Sequence, residues 1–168
     1  MTRKNSFTKK KKKNNQTYHF NSFIGIDPGA SGGIALISNG QIKAYKCPKS
    51  TKDMSVLFSI AYEKNGPKTM VGLEKVWARP TDARSSAFKF GMNYGKWIGI
   101  SANHESDIKY ITPQTWMKYY NVPKLKKEQR KRWLKDKAKE LYPKEKVTLY
   151  TADAILIAHY LKEIYKEQ

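Results

Sequence analysis

The chain has 168 residues, 39% of them hydrophobic, with four Trp, eleven Tyr and six Phe, which suits one domain with a core of its own. Its 33 Lys and Arg against 14 Asp and Glu give a net charge of +19 and a pI near 9.9, a balance that points to a polyanion, nucleic acid first and an acidic membrane surface as the rival. No apolar run approaches the roughly 18 residues of a membrane span, no apolar segment follows the N-terminal lysines as a secretory signal requires, and the lone Cys47 excludes an internal disulfide, which fits a reducing compartment.

Residues 1–17 carry Arg3, Lys4 and the five lysines at 9–13, with no acids and almost nothing to bury. We expect a disordered basic tail over 1–20 and a folded domain over 21–168. The tail accounts for seven basic residues, so the remainder keeps 26 against 14 acids and stays at +12. A solubilising or nuclear-targeting run and a nonspecific DNA tether fit the tail equally.

Residues 23–27 and 33–38 are apolar and rich in β-branched side chains, and residues 41–46 follow them. They predict three strands, the last two joined by the hairpin turn Asn39-Gly40. Cys47 follows them and reads as a strand residue rather than a nucleophile, because nothing nearby supplies it with a base. A helix is expected over 51–63, capped by Thr51 with Asp53 in its first turn and stopped at Asn65-Gly66-Pro67. Residues 69–75 predict a short apolar strand with Glu74 near its end.

A long helix is expected over 82–102, where Ala83, Ala87, Phe90, Gly91, Tyr94, Ile98 and Ala102 recur at helical spacing and Gly91 and Gly95 permit close packing. A strand at 108–111 follows, and Thr112-Pro113 starts another helix. Residues 124–142 predict a basic helix ended by Pro143, with Leu134, Ala138 and Leu141 on its buried side. Thr151 caps a last helix running to about 165. Three meander strands, helix, strand, helix, strand, helices: this order describes an α/β domain with a mixed sheet.

Three acids stand where the fold exposes strand and helix ends: Asp27, Glu74 and Asp153. A carboxylate closing an apolar strand costs several kcal/mol, roughly, unless hydrogen bonds or a cation compensate it. Each acid alone has a plain explanation, Asp27 as a turn former before Pro28, Glu74 as a strand-end charge, Asp153 as a helix-dipole partner. Together they suit Mg²⁺, which takes carboxylate and phosphate oxygens.

The motifs in sequence order carry a resemblance. Gly25-Ile26-Asp27-Pro28-Gly29 with Gly32-Gly33-Ile34-Ala35, then Gly72-Leu73-Glu74-Lys75-Val76-Trp77, are similar to the first two acidic motifs of the RuvC-type Holliday junction resolvases, within the RNase H-like nuclease superfamily. Residues 83–91 with Tyr94-Gly95, then residues 111–116, the basic helix and residues 152–158 complete the family's order. The resemblance covers most of 23–162. It implies an RNase H-like, mixed five-stranded sheet, antiparallel meander first, flanked by helices. It also implies Asp27, Glu74 and Asp153 as ligands of Mg²⁺, or of Mn²⁺ in its place.

The family usually has a fourth acidic or histidine ligand close to its last Asp, but here Leu149, Tyr150 and Ile155 hold those places. Either three carboxylates suffice, or Glu145, Asp107 or His159 reaches in. The resemblance singles out Lys118 and Lys127 as the lysines nearest the scissile phosphate, Lys127 in a catalytic role. It places Trp77 where an aromatic stacks on an unpaired base; folding of Trp77 onto the sheet is the alternative. Arg79 and Arg84 lie nearby to meet phosphates. Lys124, Lys126, Lys127, Arg130 and Lys131 open a run of nine basic residues up to Lys139, opposed by Glu128 and Asp136 alone, an excess that favours phosphate contact over an ordinary solvated helix.

The expected activity is that of a metal-dependent endonuclease cutting four-way DNA junctions by paired symmetric nicks, as a homodimer and without a membrane. Its place would be the cytoplasm for a bacterial or phage protein, the nucleus or viral factory for a eukaryotic virus. A non-catalytic junction-binding protein is the alternative. An actin-like ATPase, whose first phosphate loop also follows a strand Asp, needs a second lobe for which the chain is too short.

Overall fold

Alternation of apolar side chains builds the sheet. β1 (Ser22–Asp27), β2 (Gly33–Ser38) and β3 (Gln41–Lys46) form the expected antiparallel meander, with Asn39 and Gly40 at φ 49° and 73° in the hairpin turn. β4 (Thr69–Glu74) adds to β1 in parallel, and β5 (Asp107–Ile111) adds to β4 in parallel, giving the order β3-β2-β1-β4-β5. The computed structural model describes residues 20–63, 68–78, 80–104 and 106–165. The predicted tail apart from Phe20, the Asn65-Gly66-Pro67 stop and Arg79 lie outside them.

Helices cover both faces. α1 (Thr51–Glu63) and α2 (Arg84–Asn103) pack on Ile24, Ile26, Ile34, Val71 and Leu73, while α3 (Pro113–Tyr119), α4 (Lys127–Leu141) and α5 (Ala152–Tyr165) pack on Phe23, Ala35, Ile37 and Met70. Residue parity along each strand therefore decides which helix layer it meets. α5 lies directly on β1 because Gly25 has no side chain: a Cβ there would overlap the Ala154 carbonyl and the Ala158 amide. This close approach carries the first turn of α5 toward the end of β1.

Some boundaries differ from expectation. Ser50, not Thr51, caps α1, its Oγ accepting from the Asp53 amide at 3.0 Å. Thr151 precedes α5, but its hydroxyl turns back to accept from the Thr148 amide at 3.0 Å. The basic helix begins at Lys127, so Lys124 and Lys126 lie ahead of it. The larger correction concerns α2, whose buried side chains are Trp97, Ile100 and Ser101, while Gly91, Gly95 and Ala102 are exposed. Its helical periodicity mixed two faces. One meets the core; the other carries Phe88, 69% exposed, and Met92, 48% exposed, with nothing within 4 Å of where a Cβ of Gly91, Gly95 or Gly99 would be.

Candidate metal centre and nucleic-acid interface

β1 and β4 run parallel with Ile26 opposite Leu73, so their next residues, Asp27 and Glu74, end the two strands side by side. Asp153 arrives in the first turn of α5. The three carboxyls sense one another. Burial, then the charges of Asp153 and Glu74, hold Asp27 well above the usual carboxylate range. Burial pushes Glu74 up to about 7, opposed by the Trp116 indole and reinforced by Asp153. Burial likewise raises Asp153 to about 6, opposed by Lys131 and Arg130.

Glu74 is only 8% exposed and has a built partner: Trp116 Nε1 on α3 donates to its Oε1 at 2.9 Å. Trp116 is fully buried, and its indole N–H, a donor only, finds its acceptor in Glu74; no spacing in the sequence pairs the two.

The donor set is all oxygen, and it concentrates negative charge that only protons or cations relieve. Such residues fit a hard divalent cation of the Mg²⁺ or Mn²⁺ kind. As the side chains stand, no group of three or more His, Cys, Asp or Glu among the described residues is in ligating geometry. Glu74 is turned to Trp116.

Neither Glu145 nor His159 joins the three. Glu145 Oε1 accepts from the Ala44 amide on the edge strand β3 at 3.3 Å. His159 Nδ1 lies 2.8 Å from the Tyr142 hydroxyl, and its Nε2 is 4.0 Å from Glu163. Asp107 opens β5 opposite Met70, four residues before Ile111, which is the partner of Glu74, or roughly 13 Å along the strand.

An open cleft of ≈ 840 Å³ fronts Glu74, walled by the Gly29-Ala30-Ser31 turn, Trp77, the α2 residues Phe90 and Asn93, and Lys127. Trp77 is 53% exposed, so it stands in the cleft instead of folding onto the sheet. Arg84 is exposed at the start of α2, two residues before Ser86 on the cleft wall.

Lys118, Lys124, Lys126 and Arg130 line a second open groove, of ≈ 980 Å³, between α3 and α4. Lys118 is therefore not among the cleft residues, whereas Lys127 is. Lys131, one turn beyond Lys127, lowers both Asp27 and Asp153, a relation that its place in a run of lysines did not distinguish. The start of α4 thus forms a basic ridge between cleft and groove. No helix among the described residues is long and apolar enough to cross a membrane.

No protein-family model matches the chain, and no curated protein matches it. Solved structures do. The chain is similar to Thermus thermophilus RuvC in complex with a Holliday junction substrate, at 14% identity and TM-score 0.58 over 87% of this chain and 95% of that one. It is similar to a further Thermus thermophilus RuvC structure at 15% identity and TM-score 0.55, over the same shares. The yeast mitochondrial Holliday junction resolvase Ydc2 matches at 15% identity and TM-score 0.52, over 89% of this chain and 80% of that chain. Likeness at these identities establishes the fold: an RNase H-like α/β domain with a five-stranded mixed sheet flanked by helices.

Proposed function

We propose that a protein with this fold and this cleft is a divalent-metal-dependent endonuclease that cuts four-way DNA junctions by paired, symmetric nicks. The observation that carries the reading is the convergence of Asp27, Glu74 and Asp153 at adjacent strand and helix ends, all three raised by burial and Asp27 and Glu74 further by Asp153, beside an open cleft that Lys127 lines. Three mutually repelling carboxyls destabilise the site unless something cationic is to be held there. The similar structures, a RuvC in complex with a Holliday junction substrate and a yeast mitochondrial Holliday junction resolvase, support the choice of substrate.

In this reading Asp27, Glu74 and Asp153 hold Mg²⁺ or Mn²⁺, with Asp27 central because it adjoins both other acids. The bound cation supplies Lewis-acid activation of water and stabilises charge on the departing 3′ oxygen. Trp116 fixes one Glu74 oxygen, leaving the other for ligation. Lys127 in the cleft and Lys131 beside the acids offset phosphate charge as the bond breaks. Trp77 offers an exposed face on which an unpaired base at an opened crossover can stack. Lys118, Lys124, Lys126 and Arg130 take the backbone of a DNA arm in the second groove, while Arg84, and Arg79 by its place in the sequence, meet phosphates near Trp77.

Symmetric nicking requires two sites. The exposed face of α2, with Phe88, Met92 and three glycines open to solvent, suits close packing against the same helix of a second copy, so we assign the homodimer contact to it.

A second reading has its own support: three carboxyls without a fourth ligand, not arranged to ligate, suit a junction binder without catalysis. Incubation of a labelled four-way junction with Mg²⁺ or Mn²⁺ separates the two. The nuclease produces paired nicks; the binder retards the junction in a gel and leaves it intact.

A further inference from the structure

Beyond Asp27 the chain leaves the sheet. The β1–β4 ladder ends at Ile26, so Asp27 is held to the sheet by its pairing with Gly33 of β2 and by the turn at 28–32 that joins the two. That turn is closed internally by a hydrogen bond from the Gly32 amide to the Gly29 carbonyl at 3.1 Å. It is also held from outside, by α2. Asn93 Oδ1 accepts from the Gly29 amide at 2.7 Å, and Asn93 Nδ2 donates to Cys47 Sγ at 3.6 Å. Cys47 in turn donates its amide to the Gly32 carbonyl at 2.9 Å, so Asn93 and Cys47 grip both ends of one turn.

The fit leaves little slack. Gly29 has φ +114°, and a Cβ there would stand 2.9 Å from the Phe90 ring of α2. A Cβ at Gly32 would overlap the Asp27 carbonyl oxygen and stand 3.0 Å from the Asp27 carboxyl carbon. The turn is thus pressed between the α2 side chains Phe90 and Asn93 and the Asp27 residue itself. Ala30 and Ser31 face the open cleft, so the hold on the turn comes from the Gly29 and Gly32 ends, the latter against Asp27 itself.

We propose that Asn93 is a positioning residue: through the Gly29 amide it sets where Asp27 presents its carboxyl, and so the affinity with which the carboxyl cluster takes a divalent cation. This rests on the metal-site reading above. Asn93 touches neither DNA nor metal in this role. Because α2 also carries the unpartnered Phe88 and Met92 face, the same helix links that surface to Asp27.

The test compares wild type, Asn93→Ala and Asn93→Asp, the last of which keeps the acceptor for Gly29 and loses the donor to Cys47. Hydrogen exchange of the metal-free protein reads the turn. Thermal unfolding against Mg²⁺ concentration reads cation affinity, since a ligand of the folded state raises the midpoint by mass action. Junction cleavage against Mg²⁺ concentration reads function. For Asn93→Ala we expect exchange at the Gly29 amide to quicken about tenfold, and the half-saturating Mg²⁺ to rise about tenfold in both titrations, a loss of about 1.4 kcal/mol in cation binding. Asn93→Asp returns both titrations to within about twofold of wild type.

A wild-type Mg²⁺ midpoint in Asn93→Ala overturns the proposal, as does an equal shift in Asn93→Asp. If wild type cleaves nothing, the nuclease reading fails, and exchange and thermal titration still decide the role of Asn93.

Discussion

The indole N–H of Trp116 donates to Glu74 Oε1 at 2.9 Å, joining α3 to the end of β4 across 42 residues of sequence. The bond favours the charged form of a carboxyl that burial disfavours. Trp116→Phe keeps most of the packing and removes the donor. It leaves a buried carboxylate oxygen short of a partner, at a cost of about 1–3 kcal/mol. Urea unfolding at pH 8 should show that loss, and at pH 5, where Glu74 is protonated, a smaller one. An equal loss at both pH values would mean that packing rather than the hydrogen bond is responsible.

The carboxyl cluster makes stability depend on pH in a direction opposite to that of salt-bridged acids. Asp27, Glu74 and Asp153 have folded-state pKa values above their unfolded ones, Glu74 near 7 and Asp153 near 6. In the window between, the folded chain binds more protons than the unfolded chain, so stability falls as pH rises. The metal-free protein should therefore be most stable below about pH 4 with respect to these groups, and lose stability progressively toward pH 7 and above. Mg²⁺ should offset the loss at pH 8, and Asp27→Asn should stabilise the metal-free protein there. Differential scanning calorimetry between pH 4 and 8, with and without Mg²⁺, measures both effects.

Trp77 is 53% exposed and contributes little to the core. Trp77→Ala should leave the unfolding midpoint within about 1 °C, in keeping with the small effect of surface substitutions. Loss of base stacking costs about 1–3 kcal/mol, so affinity for a four-way junction should fall by about 5- to 150-fold. Binding to unbranched duplex, which offers no unpaired base, should not change. Fluorescence anisotropy with the two DNAs checks the contrast.

The proposed dimer face gives a separate prediction. Phe88→Asp with Met92→Asp places charge on an exposed surface and should cost the isolated fold little. Sedimentation velocity should show the wild type as a dimer and the double variant as a monomer, with far-UV circular dichroism unchanged. In the variant, nicks on the two strands of a junction should become uncoupled.

Much of this arrangement was readable from the chain, for physical reasons. The strands at β1, β2 and β4 declare themselves because they are buried on both faces and bounded by Gly, Pro and Asn, and Asn39-Gly40 can hardly be other than a hairpin turn. Asp27, Glu74 and Asp153 stood out as charges at the ends of apolar segments. Their proximity needed the sheet order, in which β4 crosses over to lie beside β1. Periodicity on α2 misled because Gly91 and Gly95 resemble core positions on a helix whose second face meets nothing at these glycines among the described residues. Trp116, Asn93 and the electrostatic reach of Lys131 were hidden for another reason. Each acts across tens of residues through one side-chain atom, which spacing along a helix does not encode.

The central claim is that Asp27, Glu74 and Asp153 hold the metal of a junction-cutting nuclease. Cleavage of an end-labelled four-way junction by wild type, Asp27→Asn and Asp153→Asn, in Mg²⁺ and at equal occupancy of the DNA, tests it most directly. Wild type should release symmetric nicked products. Both variants should cut at least about 100-fold more slowly, the order of loss expected when positioned transition-state stabilisation is removed, while retarding the junction in a gel at similar concentrations. Equal Mg²⁺-dependent cleavage by all three proteins, or an intact junction with wild type, would contradict the account.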